Sequence, residues 1–438
     1  MSIPTIIKND KKTIRAWALF DWANSSYALV ISTAVFPIYY TAVTEDTVRF
    51  FNLDVNTNTI YSFAITLSYI VIAMLSPLLS GIADFSGRRL FFLKMFTLIG
   101  SLACIGMFFF KSSTDVWVGT TAFIVATIGF AGSLVFYDSF LPIIATEDQF
   151  DKVSAKGFSY GYVGSVILLI FILMMIQKPE WFGMEGSSLP TRIGFVLVGV
   201  WWLVFSQITF RNMPKDQKSK FSKGVLAHGY SEIKQVFAEA KQMASLKAFL
   251  ISFFLYSAGV QTVIYVATLF SEQELGMESG ELIMTVLIIQ LVGILGAWFF
   301  ARLSGKIGNK YALLIQIFIW MLVCIGAFFC HSKMFFFGLA ASVGMVMGGI
   351  QALSRASYSK LLPEDEDDVT SFFSLYDVVY KSAIVAGTFL FGLVNLLTGN
   401  MRYSVLVLVI LFVLGGLAML RVNFTEKIYV HTPKPSEN

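Results

Sequence analysis

Long apolar runs separated by short polar interruptions occupy almost the whole chain. Twelve of them have the roughly 17 to 25 residues that a membrane-spanning helix needs. They cover residues 16–42, 58–80, 90–110, 116–143, 157–177, 190–210, 247–270, 281–303, 311–330, 334–357, 370–397 and 401–421. In hydrocarbon each backbone N–H and C=O must be satisfied within its own segment, so each run is predicted to be an α-helix. The pattern therefore predicts an all-α integral membrane protein with twelve spans.

Composition agrees with this prediction, since 56% of the residues are hydrophobic and only 14% are charged. An ordinary soluble domain has about 25% charged residues. Little chain remains outside the spans for a soluble domain. The lipid bilayer is thus the expected environment, and the chain is expected to be a monomer.

Lys and Arg are distributed unequally between alternate loops. If the N-terminus is cytoplasmic, about 25 of the 32 lie at inner ends of spans or in inner loops. The outer loops hold only Arg49, Lys111, Lys178, Arg192, Lys333 and Arg402. This asymmetry predicts cytoplasmic termini in a multi-pass protein of the cell membrane, or of the inner membrane if the source is bacterial. The net charge of +4 reflects this topology and gives no reason to expect a nucleic-acid partner.

Cofactor chemistry has no signature in the sequence. The few Cys and His residues occur singly, without metal-ligand spacing: Cys104, Cys324, Cys330, His228, His331 and His431. No Gly-rich phosphate loop of the Walker type is present, which argues against direct use of ATP. Neither a metal nor another cofactor is expected.

A basic inner segment divides the chain into two sets of six spans. The predicted organisation is an N-terminal bundle at 1–210, a cytoplasmic linker at 211–246, and a C-terminal bundle with a short tail at 247–438. Within the linker, Ile233, Val236, Phe237, Ala240 and Met243 recur at helical spacing. An amphipathic helix at the inner surface is therefore predicted there.

One sequence offset relates the two halves. SGIADFSGRR, residues 80–89, follows the second span, and ARLSGKIGNK, residues 301–310, follows the eighth. The same offset also pairs Tyr137 with Tyr358 and Pro142 with Pro363. Two separated matches at one offset indicate an internal duplication of six helices.

Twelve spans in two repeats, with an Asp-x-x-Gly-Arg-Arg turn after the second span, resemble the major facilitator superfamily. Asp84, Gly87, Arg88 and Arg89 match the loop motif of that superfamily, which implies an inner-gate loop. Gly87 would permit a tight turn, and Asp84 would pair with basic groups or cap a neighbouring helix. In the second copy Gly305 stands where the acid would be, so the inner latch is expected to be asymmetric.

A narrower resemblance rests on WALFDWANSSYALVISTAVFPIYY, on FYDSFLPIIA with SAKGFSYGYVGS, and on GGIQALSRASYSKLLPE with FFSLYDVVYKSA. These stretches are similar to the vacuole-effluxer-like family of fungal vacuolar amino-acid exporters and bacterial relatives. The resemblance covers essentially the whole chain. It departs at Ala258, where the family pattern has an acid, so a coupling role of that acid does not carry over.

Polar residues at bilayer depth are the candidates for transport chemistry, because each is expensive there unless paired or wetted. Asp21 and Asn24 lie on the first span and Asp138 lies on the fourth, at a similar depth. Facing acids favour a proton or cation site. The alternatives are helix caps, interhelical hydrogen bonds, or pairing with basic residues that closes an inner gate.

Three further candidates lie in the seventh and tenth spans. Gln261 and Gln351 would offer both donors and acceptors to a substrate, or would clasp neighbouring helices. Arg355 suits a carboxylate through bidentate geometry, and the alternative is that it reaches out to lipid headgroups.

The eleventh span carries an acid and an amine one turn apart, Asp377 and Lys381. Their i,i+4 spacing predicts an ion pair, and Tyr376 adds a polar tip beside them. The family resemblance includes the Tyr-x-x-x-x-Lys pattern from Tyr376 to Lys381. Lys381 is therefore the stronger candidate for a substrate carboxylate or a coupling charge, with Asp377 as its local counter-ion.

These features favour a secondary active transporter that works by alternating access. The family resemblance implies a small polar metabolite, amino acids among them, moved outward. The facing acids Asp21 and Asp138 favour coupling to protons. A flippase or exporter of a lipid-linked or amphipathic substrate is the alternative. A membrane-embedded transferase is disfavoured because no His, Cys or acid cluster has catalytic spacing.

Overall fold

A computed structural model describes residues 7–50, 53–216, 225–363 and 368–425. Within these ranges the chain forms α-helices throughout, with one short hairpin. The helices are α1 (Lys11–Ser26), α2 (Phe36–Val43), α3 (Thr57–Ser86), α4 (Arg89–Gly106), α5 (Val116–Asp138), α6 (Leu141–Ile144), α7 (Phe150–Gln177), α8 (Ser188–Asn212), α9 (Val225–Gln242), α10 (Ala244–Leu275), α11 (Ser279–Ile307), α12 (Asn309–Phe328), α13 (Lys333–Leu361), α14 (Val369–Thr398) and α15 (Met401–Met419).

The twelve predicted spans are confirmed: within the described ranges, 12 helical segments are long and apolar enough to cross a membrane. The first comprises α1, a π-helical segment at Tyr27–Val35, and α2. Several helices extend past the predicted apolar runs. The 28 residues of α7, for example, rise about 42 Å, more than a hydrocarbon core of about 30 Å. Its first two turns are therefore polar and project beyond the core.

The apolar core follows the two halves of the chain. In the first half α1 packs against α7 and α8, and α4 packs against α5 and α8. In the second half α10 packs against α14 and α15, and α11 packs against α13. The halves meet along two seams, where α7 contacts α11 and α13 and where α3 contacts α14. We call the end of the bundle where α1 begins and α15 ends the terminal face.

Two glycine turns at the terminal face confirm the turn predicted from the duplicated motif. Gly87 joins α3 to α4 with φ +63°, and Gly308 joins α11 to α12 with φ +83°. Both values lie in the left-handed region that favours glycine. Both copies of the motif thus place a glycine of positive φ in the turn, although Gly308 has ψ 157° and directly precedes α12, whereas Arg88 separates Gly87 from α4.

A helix also forms in the predicted linker, and it lies on the protein. α9 packs along α3 and also touches α10 and α14. Val236, Ala240 and Met243 are buried on its inner side, and Lys241 is exposed. Residues 217–224 of the predicted linker and residues 426–438 of the predicted tail lie outside the described residues.

The sequence did not predict a two-stranded antiparallel hairpin of β1 (Thr47–Phe50) and β2 (Leu53–Asn56). It connects α2 to α3 at the end opposite the terminal face. Strands of four residues between two apolar runs give too little alternation to recognise.

Candidate functional site

A cavity of about 340 Å³ lies between the two halves of the bundle, a size typical of small-molecule sites. Its lining comes from α1 with the π segment, α3, α5 and α7 on one side, and from α10, α11, α13 and α14 on the other. All nine residues that the sequence suggested for a substrate or coupling ion lie on this lining. They are Asp21, Asn24, Asp138, Gln261, Gln351, Arg355, Tyr376, Asp377 and Lys381.

Arg355 occupies the end of the cavity nearer the terminal face and points inward. Its guanidinium Nη1 lies 2.8 Å from Asp138 Oδ1, and its Nη2 lies 3.4 Å from Asp21 Oδ2. It also donates to Ser154, through Nε to Oγ at 2.9 Å and through Nη2 to the carbonyl at 3.0 Å. Only 3% of the side chain is exposed. The alternative that Arg355 reaches lipid headgroups is therefore wrong.

The two acids beside Arg355 have different surroundings. Asp21 Oδ2 accepts a hydrogen bond of 2.8 Å from the Tyr137 hydroxyl, and Tyr137 in turn stacks on Trp17. Among the described residues, Asp138 has Arg355 as its hydrogen-bond partner, and 18% of its side chain is exposed. Asp21 is enclosed, whereas Asp138 is open to the cavity.

Gly157 on α7 makes the close approach to Asp21 possible. A Cβ atom built at Gly157 would lie 2.4 Å from Asp21 Oδ2 and 3.0 Å from Arg355 Nη2. One turn later, a Cβ at Gly161 would lie 2.4 Å from the Ser25 hydroxyl. The small-residue spacing on α7 thus makes room for polar groups as well as for helix packing.

The predicted ion pair on α14 is confirmed. Lys381 Nζ contacts Asp377 Oδ2, and 5% of the Lys381 side chain is exposed. Lys381 lies about 18 Å along α14 from Val369, near the middle of this 30-residue helix. Ser76 on α3 also donates to Asp377 Oδ2, at 3.4 Å, which connects this pair to the other half of the bundle.

The amides divide into satisfied and unsatisfied groups. Gln351 Oε1 accepts a hydrogen bond of 2.8 Å from Tyr162 across the two halves, so it clasps α13 to α7. Asn24 is 1% exposed, and its Nδ2 donor has no hydrogen-bond partner within the part of the chain that the structure describes. Gln290 also lines the cavity, and its Oε1 acceptor likewise has no hydrogen-bond partner among the described residues. Among the described residues, Asn24 thus keeps an unpaired donor and Gln290 an unpaired acceptor at the border of the cavity.

A π-helical segment widens the first span where it borders the cavity. The Thr33 hydroxyl donates to the carbonyl of Ala28, five residues earlier, at 2.8 Å, and Pro37, which has no N–H, follows shortly after. Ala28, Leu29, Ser32 and Thr33 line the cavity. Such π segments are frequent at functional sites.

Asp84, in the loop motif that was predicted to form an inner gate, makes both kinds of contact expected of it. Its Oδ1 accepts from Arg89 Nε at 2.9 Å, and its Oδ2 accepts from the backbone N–H of Ser371 at 2.6 Å. The N–H of Thr370 also donates to Asp84, at 3.3 Å. Asp84 therefore caps the start of α14 across the α3–α14 seam, as a carboxylate at a helix N-terminus should. Arg88 is half-buried and directly precedes α4.

The other seam carries a latch that sequence reasoning missed. Asp151 on α7 pairs with Lys360 Nζ at 2.9 Å and accepts from Ser304 Oγ and Asn309 Nδ2, both at 2.8 Å. Here the acid belongs to α7, and the residues that donate hydrogen bonds to it belong to α11, α12 and α13. The two seams are thus asymmetric, as Gly305 led us to expect: α3 supplies the acid on one seam and α7 supplies it on the other. Asp151 lies six residues before the fifth predicted span, 157–177, so hydropathy alone did not place it on a helix.

Comparison with known proteins agrees with this fold. The family described as "Vacuole effluxer Atg22 like" matches residues 9–429. A protein of Bacillus subtilis called an uncharacterized MFS-type transporter, YxiO, is 31% identical over 413 residues, 94% of each chain. Autophagy-related protein 22 of Vanderwaltozyma polyspora is 26% identical, covering 83% of this chain and 77% of the fungal one.

Among solved structures, the proton:xylose symporter XylE superimposes with a TM-score of 0.71 over 93% of this chain and 94% of its own. The identity of 13% makes this a likeness of fold. The family match extends over nearly the whole chain, includes the helices that line the cavity, and joins relatives that are named transporters. The chain therefore belongs to the Atg22-like vacuole effluxer family of major facilitator transporters.

Proposed function

We propose that the protein exports a small polar metabolite, amino acids among them, from the cell by alternating access coupled to protons. The observation that carries the proposal is the convergence of five ionisable side chains on one cavity between the halves: Asp21, Asp138, Arg355, Asp377 and Lys381. Ionisable residues inside a membrane commonly mark substrate and proton pathways. A purely structural cavity would have no need of them.

Lys381 is the group proposed to bind a substrate carboxylate. Among the described residues, Lys381 has one ion-pair partner, Asp377 on its own helix. Arg355, the other cation that lines the cavity, is bonded to Asp21, Asp138 and Ser154. A carboxylate near Lys381 would replace Asp377 as its counter-ion. The free donor of Asn24 and the free acceptor of Gln290 would serve the other polar groups of the substrate.

Asp138 is the group proposed to carry the proton. Two acids share one guanidinium at this end of the cavity, so one of them is readily neutralised. Asp138 has the more exposed side chain and the smaller number of partners. Protonation of Asp138 would weaken its ion pair with Arg355 Nη1 and leave that nitrogen with its longer hydrogen bond of 3.5 Å to Asp21. This loosens a contact between the halves and links proton binding to opening.

The first test is counterflow of a panel of labelled amino acids into liposomes that contain the purified protein and excess unlabelled solute. We expect accumulation of at least one amino acid. In parallel, translocation of a fluorescent phospholipid tests the flippase alternative. Lipid translocation without amino-acid counterflow would contradict the proposal.

Coupling is tested with Asp138→Asn, and Asp115→Asn outside the cavity serves as the matched control. We expect Asp138→Asn to retain counterflow, which needs no net proton movement, and to lose uptake driven by an imposed pH gradient. Asp115→Asn should retain both. If Asp138→Asn responds to the gradient like the parent protein, Asp138 does not carry the proton.

A further inference from the structure

Basic side chains border the α7–α11 seam on the side that faces lipid. The seam itself is packed with small residues, Ala155 of α7 against Ala297 and Ala301 of α11. Near the terminal face it is fixed by the hydrogen bond from Ser304 to Asp151. Any ligand that touches both helices here would therefore contact both halves of the protein.

Lys152, Lys156 and Arg302 each directly follow a seam residue: Asp151, Ala155 and Ala301, respectively. One residue corresponds to a rotation of about 100° on a helix. Because the fifth and eighth spans run in opposite directions, these rotations turn the three basic residues to the same side of the seam, away from the cavity. Lys152 and Arg302 are exposed and Lys156 is half-buried.

Lys152 and Arg302 also lie at a similar depth. Asp151 is bonded to Ser304, and Arg302 precedes Ser304 by two residues, a rise of about 3 Å. The Arg302 guanidinium stacks 3.5 Å over the ring of Trp298, which is 54% exposed. An exposed Trp with a stacked Arg is typical of the headgroup level of a membrane.

Acidic groups near these charges are few or already engaged, although Asp148, four residues before Lys152, attracts it electrostatically. Asp151 is the sole acid of α7 and forms an ion pair with Lys360. Glu281 is the sole acid of α11, and it lies at the other end of that helix, where it pairs with Lys333. In the preceding turn Asp148 is held by Thr146 and Gln149. The side chains of Lys152 and Arg302 make no ion pair with a described residue.

The geometry points to a binding site for one anionic phospholipid across the α7–α11 seam. Its phosphate lies between Lys152 and Arg302, which belong to opposite halves, with Lys156 beside it. Its acyl chains run along the lipid-facing side of the two helices. The lipid bridges the halves outside the Asp151 latch and thereby favours the state in which the terminal face is closed.

Native mass spectrometry of the full protein with phosphatidylglycerol or phosphatidylcholine tests this site. The variant Lys152→Gln with Arg302→Gln removes both charges. The control Lys94→Gln removes a lysine that lies 5.8 Å over the Phe210 ring, on α4 away from both seams. At about 1 kcal/mol per basic residue, we expect at least tenfold weaker retention of one phosphatidylglycerol in the double variant and no change in the control.

Lys152→Arg with Arg302→Lys should restore retention, because it keeps both charges. Equal retention of phosphatidylglycerol by the double variant and the parent protein would overturn the proposal. So would equal retention of the two lipids by the parent. Displacement of the lipid by millimolar inorganic phosphate would also overturn it, since that result would indicate a site for free anions. Thermal unfolding in phosphatidylcholine checks that the variants are folded.

Discussion

At the scale of single residues, Arg355 organises the closed end of the cavity. Its guanidinium joins α13 to Asp21 on α1, Asp138 on α5 and Ser154 on α7. Trp17 covers it at 4.6 Å from the ring centre. Loss of one partner from such a buried cluster leaves an uncompensated charge, so the cluster is sensitive to small changes around it.

Gly157→Ala tests how closely this cluster is packed. The added methyl group would overlap Asp21 Oδ2, so we expect a loss of about 1–3 kcal/mol of stability, as for other overpacked sites. Gly106→Ala, where no atom lies within 4 Å, should be neutral or slightly stabilising. Thermal unfolding in detergent measures both. Equal stability of the two variants would show that the α1–α7 contact is looser than described.

The Asp377–Lys381 pair allows binding to be separated from folding. Lys381→Ala should reduce both stability and transport, because it leaves Asp377 buried without its partner. Asp377→Ala with Lys381→Ala removes both charges, and we expect most of the stability to return while transport stays at least tenfold reduced. Lys381→Arg should retain part of the transport. Normal transport by the double variant would mean that the pair is structural only.

Residue identities at the site were largely predictable from sequence, whereas their partners were not. Charged and amide residues inside apolar runs are few, and all nine candidates face one cavity. Contacts between distant spans, such as Ser76 with Asp377 or Tyr137 with Asp21, leave no periodic signal. They depend on how the helices are rotated against one another, which a single sequence does not encode locally.

At the scale of helices, the two seams close the terminal face in opposite ways. On one seam Asp84, in the last turn of α3, caps the start of α14. On the other, Asp151 at the start of α7 accepts from Ser304 and Asn309 around the α11–α12 turn. Both acids therefore belong to the first half of the chain: Asp84 lies next to the turn on its seam, whereas Asp151 lies on the helix that faces the turn. Each arrangement still joins a turn of one half to the start of a helix in the other.

The predicted linker is fixed near its start to the N-terminus of α4. The Asp216 carboxylate accepts hydrogen bonds from the backbone N–H groups of Leu90 and Phe91, both at 2.8 Å. Partial burial raises the pKa of Asp216, and these two N–H groups act in the opposite direction. The linker is therefore anchored to the helix that follows Asp84 and Gly87.

A double-mutant cycle on Asp151→Asn and Lys360→Gln measures the second latch. The pair is largely buried, so we expect a coupling energy of about 1–3 kcal/mol in thermal or denaturant unfolding. The pair Lys178–Glu180, at 3.9 Å with both side chains more than half exposed, is the control. Its coupling should stay below about 1 kcal/mol. Similar values for the two pairs would mean that Asp151 does not fix the seam.

The twelve spans were predictable because an apolar run of that length in hydrocarbon must satisfy its own backbone hydrogen bonds, which it does as an α-helix. The π segment at Tyr27–Val35 was not, since it depends on Thr33, Pro37 and the packing of neighbouring helices more than on hydrophobicity. The start of α7 was missed for a related reason: its polar first turns project beyond the apolar run. Hydropathy identifies the part of a helix inside the core and leaves its ends undefined.

At the scale of the whole molecule, the contacts between the halves close the terminal face below the cavity. The excess of Lys and Arg predicts that this face is cytoplasmic. An impermeant maleimide on intact cells should then label Lys178→Cys, in the loop between α7 and α8. Lys247→Cys, exposed near the start of α10, should react only after permeabilisation. The reverse pattern would place the terminal face outside and reverse the proposed direction of transport.

Alternating access itself is tested most directly by the reactivity of one cysteine in the cavity, measured from each side of oriented vesicles. Ser257→Cys is a conservative change at a cavity position on α10, and the native cysteines are buried. In the parent background we expect an impermeant thiol reagent to reach it from the side opposite the terminal face. When Asp84→Asn and Asp151→Asn are added, the cysteine at position 257 should become reactive from the side of the terminal face and less reactive from the opposite side. Simultaneous reactivity from both sides, or no change on removing the two acids, would contradict a transporter whose halves alternate around this cavity.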